Sequence, residues 1–171
     1  MTEVAYVALG SNLGERESHL AGALVALTRA PGITELHSSA LWETAPVGGP
    51  AGQGRYLNAA ARFETTLAPR RLLEVLLEIE SVHGRQRGVP DAPRTLDLDL
   101  LFYGSQVIHE VGLVVPHPRL QDRPFVLAPL RELAKEWVHP ELGVTVEELG
   151  ARLERSGSWR PEEVVRWPSS R

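Results

Sequence analysis

The sequence contains no cysteine, and this absence removes several kinds of chemistry at once. Disulfides, thiolate metal sites and cysteine nucleophiles are all excluded. No stretch approaches the ~18 apolar residues that a membrane-spanning helix requires. The acidic start, Met1-Thr2-Glu3, also lacks the positive charge and longer apolar run of a signal peptide. We therefore expect a cytoplasmic protein.

The short motifs of several common enzyme classes are absent too. No G-x-x-x-x-G-K-[ST] segment occurs, so a P-loop is excluded as the route to a nucleotide. Neither H-E-x-x-H nor G-x-S-x-G occurs, which leaves zinc proteolysis and the serine hydrolase elbow without support. The net charge of −4 argues against general nucleic-acid binding, because neutralising many phosphates needs a basic surface. A local basic pocket for one small polyphosphate remains possible.

The length of 171 residues and the apolar fraction of 43% predict a single domain over residues 1–171. Asn12 and Glu15 have the spacing of a capping box and predict a helix start, and Pro69 suits the first position of a second helix that ends near Gly84. Apolar patterning predicts four strands, at residues 3–9, 33–42, 57–66 and 96–103. This β-α-β-β-α-β order is the pattern of a ferredoxin-like α+β fold.

Additions to this core are expected after residue 103. The sequence predicts a hairpin near residues 107–115, short helical pieces and a helix over residues 145–155, and it predicts an irregular tail over residues 156–171. Two connections within the core, residues 43–56 and 84–95, are long and rich in glycine and proline. Long loops in a compact domain are usually functional or disordered.

The segment Arg94-Thr95-Leu96-Asp97-Leu98-Asp99-Leu100 carries the strongest chemical signal. Side chains alternate between the two faces of a strand, so Asp97 and Asp99 share one face while the leucines share the other. Two close carboxylates favour a cation between them, and Mg²⁺ suits a few carboxylate oxygens completed by water and phosphate. The alternative is an edge strand with an ordinary polar face.

Arginines are concentrated in the same part of the chain, and Lys135 is the only lysine in the sequence. Guanidinium groups beside carboxylate-held Mg²⁺ are a common arrangement for phosphoryl transfer, because charge develops on phosphate oxygens. The alternative for each arginine is an ordinary ion pair with a surface carboxylate, and for the histidine a rigid turn. The basic residues concerned are Arg85, Arg87, Arg94, His117, Arg119 and Arg123.

Aromatic residues flank the same segments. A flat heteroaromatic ligand can stack on Tyr56 or Phe125, and the Asn58 amide offers both a donor and an acceptor to its edge. The alternative is that both rings belong to the hydrophobic core.

In this order, the segments resemble the 6-hydroxymethyl-7,8-dihydropterin pyrophosphokinase family of folate synthesis. The resemblance extends from about residue 4 to residue 133, and its most specific part is Pro93-Arg94-Thr95-Leu96-Asp97-Leu98-Asp99-Leu100. The other matching segments are Ala8 to Gly14, Thr44 to Gly48, Tyr56 to Ala60, and Val115-Pro116-His117 with Arg123 and Phe125.

The resemblance implies a reaction in which the pterin hydroxyl attacks the β-phosphorus of ATP and AMP leaves. It implies two Mg²⁺ ions on Asp97 and Asp99, with Glu80 near the nucleotide. It implies a pterin held between Tyr56 and Phe125, with its edge bound by Asn58 and by backbone groups of Thr44 and Val47. Phosphate contacts would come from Arg85, Arg94, His117 and Arg123.

The sequence departs from the family in one loop. Many relatives carry Arg-Trp-Gly ahead of Pro-Arg, whereas this chain has Pro90-Asp91-Ala92, so the tryptophan that closes over the site is absent and the loop is one residue shorter. Ala45 stands where a second proline is common. These differences concern the closing of the loop rather than the metal and pterin residues.

Two alternative functions remain at this point. The same residues suit γ-phosphoryl or adenylyl transfer on a similar substrate. A non-catalytic pterin or nucleotide sensor is the other alternative, although a pure binder needs neither Asp97 nor Asp99. We expect a monomer whose partners are ATP and the pterin, with no nucleic-acid or membrane partner.

Overall fold

The computed structural model describes residues 1–88 and 90–168. Its strands and α-helices follow one another along the chain as β1 (Glu3–Ser11), α1 (Arg16–Arg29), β2 (Ile33–Ser38), β3 (Leu41–Thr44), β4 (Tyr56–Thr65), α2 (Pro69–Val82), β5 (Asp97–Tyr103), β6 (Ile108–Glu110), β7 (Leu113–Val115), α3 (Pro124–Ala134), α4 (Val146–Ser156) and β8 (Val164–Trp167). Within the described residues, no helix is long and apolar enough to cross a membrane.

The central sheet is antiparallel, with its strands in the order β5-β1-β4-β3-β8, and β2 pairs with the part of β4 that β3 leaves free. This arrangement, with α1 and α2 as its connecting helices, confirms the predicted ferredoxin-like α+β fold. The strands β6 and β7 form the predicted hairpin.

Each face of the sheet is covered by one pair of helices, because the strands carry apolar residues on both faces. Burial of each large apolar side chain contributes about 1.5–3 kcal/mol. The helices α1 and α2 cover a core that includes Val7, Leu9, Leu20, Leu72, Leu76 and Leu98. The helices α3 and α4 cover a second core that includes Tyr6, Ala60, Phe102, Leu127, Leu130 and Leu149.

Two predicted elements differ from the structure in their extent. The strand expected over residues 33–42 is two strands, β2 and β3, because Ser39 and Ala40 leave the ladder, and the Ser39 hydroxyl accepts a hydrogen bond from the Ala60 N–H instead. The short helical pieces expected after the hairpin include the 11-residue helix α3. The N-terminal Pro124 suits the first turn of that helix.

The prediction of an irregular tail over residues 156–171 is wrong for part of that segment. The strand β8 pairs antiparallel with β3, from Leu41 opposite Trp167 to Thr44 opposite Val164. Residues 169–171 lie outside the described residues. A strand of four residues at the edge of a sheet depends on a distant partner, so local patterning did not indicate it.

The predicted capping box is also wrong. The helix α1 begins at Arg16, and the preceding Glu15 makes no side-chain capping bond. The Asn12 side chain instead accepts a hydrogen bond from the Arg94 N–H at 2.8 Å and donates one to the Gly54 carbonyl at 3.1 Å. Asn12 therefore connects distant loops rather than ending a helix.

Candidate functional site

The two aspartates of β5 lie on the α3 side of the sheet. Their neighbours Leu98 and Leu100 point into the core beneath α1 and α2, as strand alternation requires. The register pairs Asp99 with Ala8 and Asp97 with Gly10 on β1. Small residues opposite the carboxylates leave a cavity of about 170 Å³ over this end of the sheet.

The far side of this cavity is formed by β4 and β3. Gly10 pairs with Asn58, and a Cβ at Gly10 would lie 3.0 Å from the Asn58 amide oxygen and 3.4 Å from the Tyr56 ring. The missing side chain of Gly10 therefore gives these two groups room. The buried Asn58 amide donates a hydrogen bond to the Thr44 hydroxyl at 2.6 Å, which fixes its orientation.

Two aromatic rings reach the cavity. Tyr56 and Phe125 are both half-buried and both line it, while Phe125 also packs against the core under α3. Neither ring is a fully buried core residue. The Arg123 guanidinium lies 5.5 Å from the centre of the Phe125 ring. A flat ligand between the rings would thus lie next to positive charge.

On the opposite side of the cavity, Asp97 is held by two arginines. Arg85 donates to one carboxylate oxygen at 2.9 Å, and Arg94 donates to the other at 2.8 Å. Arg119 and Arg123 line the same cavity, and no ion pair to either is found within residues 1–88 and 90–168. The arginines are thus divided between those that hold a carboxylate and those available to an anionic ligand.

Burial and the nearby negative charge of Asp97 both disfavour the ionised form of the second aspartate, Asp99. Burial raises the pKa of Asp99 to about 7, and the neighbouring charge of Asp97 adds to this effect. The positive charges of Arg123 and Arg94 act in the opposite direction. A carboxylate in such surroundings gains from added positive charge.

Some of the predicted site residues lie behind the cavity rather than in it. Glu80 is buried on α2; its carboxylate accepts a hydrogen bond from the Leu98 N–H at 2.7 Å and pairs with Arg85 and Arg87. Burial raises the pKa of Glu80. The contacts among Glu80, Arg85 and Arg87 therefore fix the start of β5 from outside the cavity. Arg94 and both aspartates, by contrast, line the cavity.

His117 lies beside the cavity and does not line it. Its Nδ1 accepts a hydrogen bond from the backbone N–H of Arg119 at 3.2 Å, and the backbone N–H of His117 donates to the Leu101 carbonyl at 3.0 Å. Burial first, and then the charge of Arg123, lower the pKa of His117 to about 4. The imidazole is therefore neutral at physiological pH in the free protein.

Two long loops meet over the cavity through residues that the sequence did not single out. The Gln53 amide donates to the Asp91 carbonyl at 2.8 Å and accepts from Asn12 at 3.1 Å. Gln53 thereby joins the loop of residues 43–56 to the loop of residues 84–95, of which residue 89 is not described. A glutamine in a Gly/Pro-rich stretch carries no periodic signal, so only the folded chain reveals this contact.

The site as a whole combines paired carboxylates, free guanidinium groups and an aromatic slot with a fixed amide. On a ferredoxin-like sheet, this combination defines a phosphoryl-transfer site that accepts a flat polar ring. The model of the 7,8-dihydro-6-hydroxymethylpterin-pyrophosphokinase (HPPK) family matches residues 6–135. The chain belongs to this family and is therefore a pyrophosphokinase of folate synthesis.

Similar proteins support the same family along nearly the whole chain. A 2-amino-4-hydroxy-6-hydroxymethyldihydropteridine pyrophosphokinase from Bacillus subtilis is 39% identical over 164 residues, which cover 96% of this chain and 98% of that protein. The protein of the same name from Synechocystis sp. is 40% identical over 172 residues, covering 94% of this chain and 87% of its own length.

Solved structures agree on the fold. The wild-type HPPK-DHPS of Plasmodium falciparum superposes with a TM-score of 0.74 at 15% identity, covering 97% of this chain and 48% of that chain. A further HPPK-DHPS structure, in complex with substrates, has a TM-score of 0.74 at 12% identity and covers 97% of this chain and 47% of the other. This chain spans about half of those proteins, and at such identities the likeness shows the fold alone.

The neutral state of His117 leads to a testable expectation. The unfolded chain takes up a proton near pH 6.5, and the folded histidine takes it up only near pH 4, so the contribution of this group to stability is lost as the pH falls through that range. We expect the His117 ring nitrogens to titrate near pH 4 in two-dimensional NMR of the free protein. The variant His117→Gln assigns the signal, and a titration near pH 6.5 would contradict the burial seen here.

Proposed function

We propose that this chain transfers the pyrophosphoryl group of ATP to the hydroxymethyl group of 6-hydroxymethyl-7,8-dihydropterin in an Mg²⁺-dependent reaction. The observation that carries the proposal is the placement of Asp97 and Asp99 on the cavity face, beside Arg119 and Arg123 and facing the slot of Tyr56. The family name describes this transfer.

The pterin takes the slot between Tyr56 and Phe125, where two faces of its ring are covered. The Asn58 amide is held by Thr44 and presents its oxygen and remaining N–H to the polar ring edge. Backbone groups of Thr44 and of the exposed Val47 complete that edge. This places the hydroxymethyl group toward the aspartates.

The ATP phosphates take the opposite side. Arg119 and Arg123 bind their oxygens directly, and Arg94 and Arg85 turn from Asp97 to phosphate when the nucleotide enters. Arg87, whose side chain is exposed in its pair with Glu80, also turns to the phosphates. His117 lies close enough to add a contact. The pterin oxygen then forms a bond to the β-phosphorus while the bond from that phosphorus to the oxygen of AMP breaks.

Asp97 and Asp99 fit Mg²⁺ in their chemistry, because this ion uses one or two carboxylates and completes its shell with water and phosphate. In the described part of the chain no cluster of three or more His, Cys, Asp or Glu side chains could hold a metal, so water and the phosphates would provide the remaining ligands. Two ions bound here would neutralise the charge that develops on the transferred group.

The direct test is incubation with ATP, Mg²⁺ and hydroxymethyldihydropterin, with the products identified by mass spectrometry. Pyrophosphoryl transfer yields AMP and a pterin diphosphate. Ordinary kinase activity would yield ADP, adenylyl transfer would release pyrophosphate, and a sensor would leave ATP intact. The same assay in EDTA, and with Mg²⁺ restored, tests the metal requirement. The proposal also places the reaction in the cytoplasm and in a monomer.

The aromatic slot gives a second expected result. Phe125→Ala and Tyr56→Ala should each weaken pterin binding by about 1–3 kcal/mol, by analogy with base stacking, and should leave ATP binding nearly unchanged. Isothermal titration with each ligand separately measures both effects. The buried ring of Phe63, which does not line the cavity, provides the contrast of a ring whose loss costs fold stability. Equal losses of binding free energy for pterin and ATP would mean that Tyr56 and Phe125 belong to the hydrophobic core rather than to the pterin site.

A further inference from the structure

The pterin side of the cavity is supported from behind by a single arginine, Arg16, at the start of α1. Its guanidinium donates one hydrogen bond to the Glu43 carboxylate at 2.9 Å and one to the Arg55 carbonyl at 2.9 Å. Glu43 directly precedes Thr44 on β3, and Arg55 directly precedes Tyr56 on β4. One side chain therefore ties together the chain segments just ahead of two pterin-slot residues.

The Arg16–Glu43 ion pair is partly shielded from water, whereas the bond to the Arg55 carbonyl is exposed. The side chains of Arg16 and Glu43 retain 23% and 19% of their exposure. An ion pair that is largely covered keeps more of its strength than a surface pair, and loss of one partner leaves a poorly solvated charge. The pair is thus able to hold the two strand ends at a fixed separation.

The C-terminal strand β8 completes the arrangement, although it lies beyond the residues that match the family model. The Arg16 guanidinium lies 5.2 Å from the centre of the Trp167 ring, and the Trp167 indole N–H donates to Glu17 at 2.7 Å. Along β8, Val164 pairs with Thr44. Trp167 therefore contacts the guanidinium, while β8 as a whole covers the outer edge of β3, with Trp167 opposite Leu41.

We propose that Arg16, Glu43 and Trp167 form a clamp that positions the pterin slot, and that the C-terminal strand serves pterin binding in this way. The inference rests on the proposed function of the same site. None of the three lines the cavity, so they are positioning residues rather than catalytic ones. Thr44 and Tyr56 are paired in the ladder between β3 and β4, so loss of the clamp should loosen the ends of these strands beside the slot rather than separate them. The phosphate side, held from α2 and β5, should keep its geometry.

The test compares Arg16→Gln, Trp167→Ala and the conservative Arg16→Lys. Arg16→Gln removes the charge-assisted hydrogen bond to Glu43, so it should raise the KM for the pterin roughly 10-fold or more. The KM for ATP and kcat should each change less than about 3-fold. Both Arg16 bonds come from one nitrogen, Nη1, so Arg16→Lys, which keeps the charge and a donor nitrogen but loses the planar group over Trp167, should recover part of the pterin affinity. Arg71→Gln, which removes two exposed ion pairs on α2, is the matched control and should change neither KM.

Direct pterin binding is measured alongside turnover, by titration of the protein with pterin alone. Weaker pterin binding in Arg16→Gln and Trp167→Ala, with folded circular dichroism spectra and unchanged ATP binding, supports the clamp. Equal weakening of both ligands, or a lower melting temperature with unchanged pterin binding, overturns it. A wild-type protein that binds pterin but releases no AMP would contradict the proposed reaction, and the pterin titrations would still decide on the clamp.

Discussion

Replacing Asp97 or Asp99 by asparagine should lower turnover by roughly 10³-fold, because metal stabilisation of phosphoryl charge is worth several kcal/mol. Asparagine keeps the shape of the side chain but loses the charge that a cation requires. Both residues point away from Leu98 and Leu100, so the core under α1 and α2 is not disturbed. Turnover is measured as AMP release at saturating ATP and Mg²⁺.

The raised pKa of Asp99 also leads to a prediction about the thermal stability of Asp99→Asn. Burial and Asp97 raise the pKa of Asp99 to about 7 in the free protein, whereas the unfolded value lies near 3.9. Above pH 7 the folded state must therefore carry an unfavourable charge, which Asp99→Asn removes. We expect Asp99→Asn to melt no lower than wild type at pH 8 in the absence of ligands.

The control for this pair is Asp122→Asn, which changes an exposed aspartate three residues before Phe125. It should retain activity within about 2-fold, as is usual for surface substitutions away from specific contacts. Near-normal Mg²⁺-dependent turnover in Asp97→Asn or Asp99→Asn would remove the basis for the metal site. A loss of equal size in Asp122→Asn would point to general electrostatics instead.

The aspartates could be predicted from the sequence because their placement follows from local geometry alone. Alternation in β5 sends two carboxylates to one face and leucines to the other, whatever the rest of the chain does. Side-chain alternation along β5 holds only through the part of the strand that carries the aspartates. The register against β1 shifts so that Tyr6 lies opposite Phe102 and Val7 opposite Leu100, which leaves Leu101 as an extra residue. Both Leu101 and Phe102 then enter the α3 core, and alternation does not indicate such a bulge.

The parts that the sequence did not indicate depend on long-range contacts. Asn12 fits a local capping pattern, but its partners Arg94 and Gly54 come from the two long loops. In the same way, β8 forms because β3 offers an unpaired edge, and its own four residues carry little signal. Local propensity is a weak guide wherever a partner more than a hundred residues away decides the structure. The family resemblance supplied Glu80, and the structure adds that this carboxylate is buried and anchors the Leu98 N–H.

The contact between the two long loops leads to a prediction at Gly49. Gly49 adopts φ +76°, and a Cβ placed there would lie within 2.6 Å of the Gln53 amide and closer still to the Asp91 carbonyl. Backbone atoms at that separation must move apart. Gly49→Ala should therefore separate the loop of residues 43–56 from Asp91 and break the Gln53 bond.

A displacement of about 1 Å in a positioned loop can cost 10²-fold in rate, so we expect kcat/KM for ATP to fall roughly 10- to 100-fold in Gly49→Ala. Gly52→Ala is the matched control, since Gly52 has a similar φ of +80° but no atom within 4 Å of the added Cβ. Both variants carry the cost of about 1–2 kcal/mol that a left-handed alanine imposes, and only one carries the clash. Amide hydrogen exchange over residues 84–88 should rise in Gly49→Ala and stay at the wild-type level in Gly52→Ala. Equal kinetics and equal exchange in the two variants would mean that contact between the loops is not needed for catalysis, and that the arginines of the second loop reach ATP without help from the first.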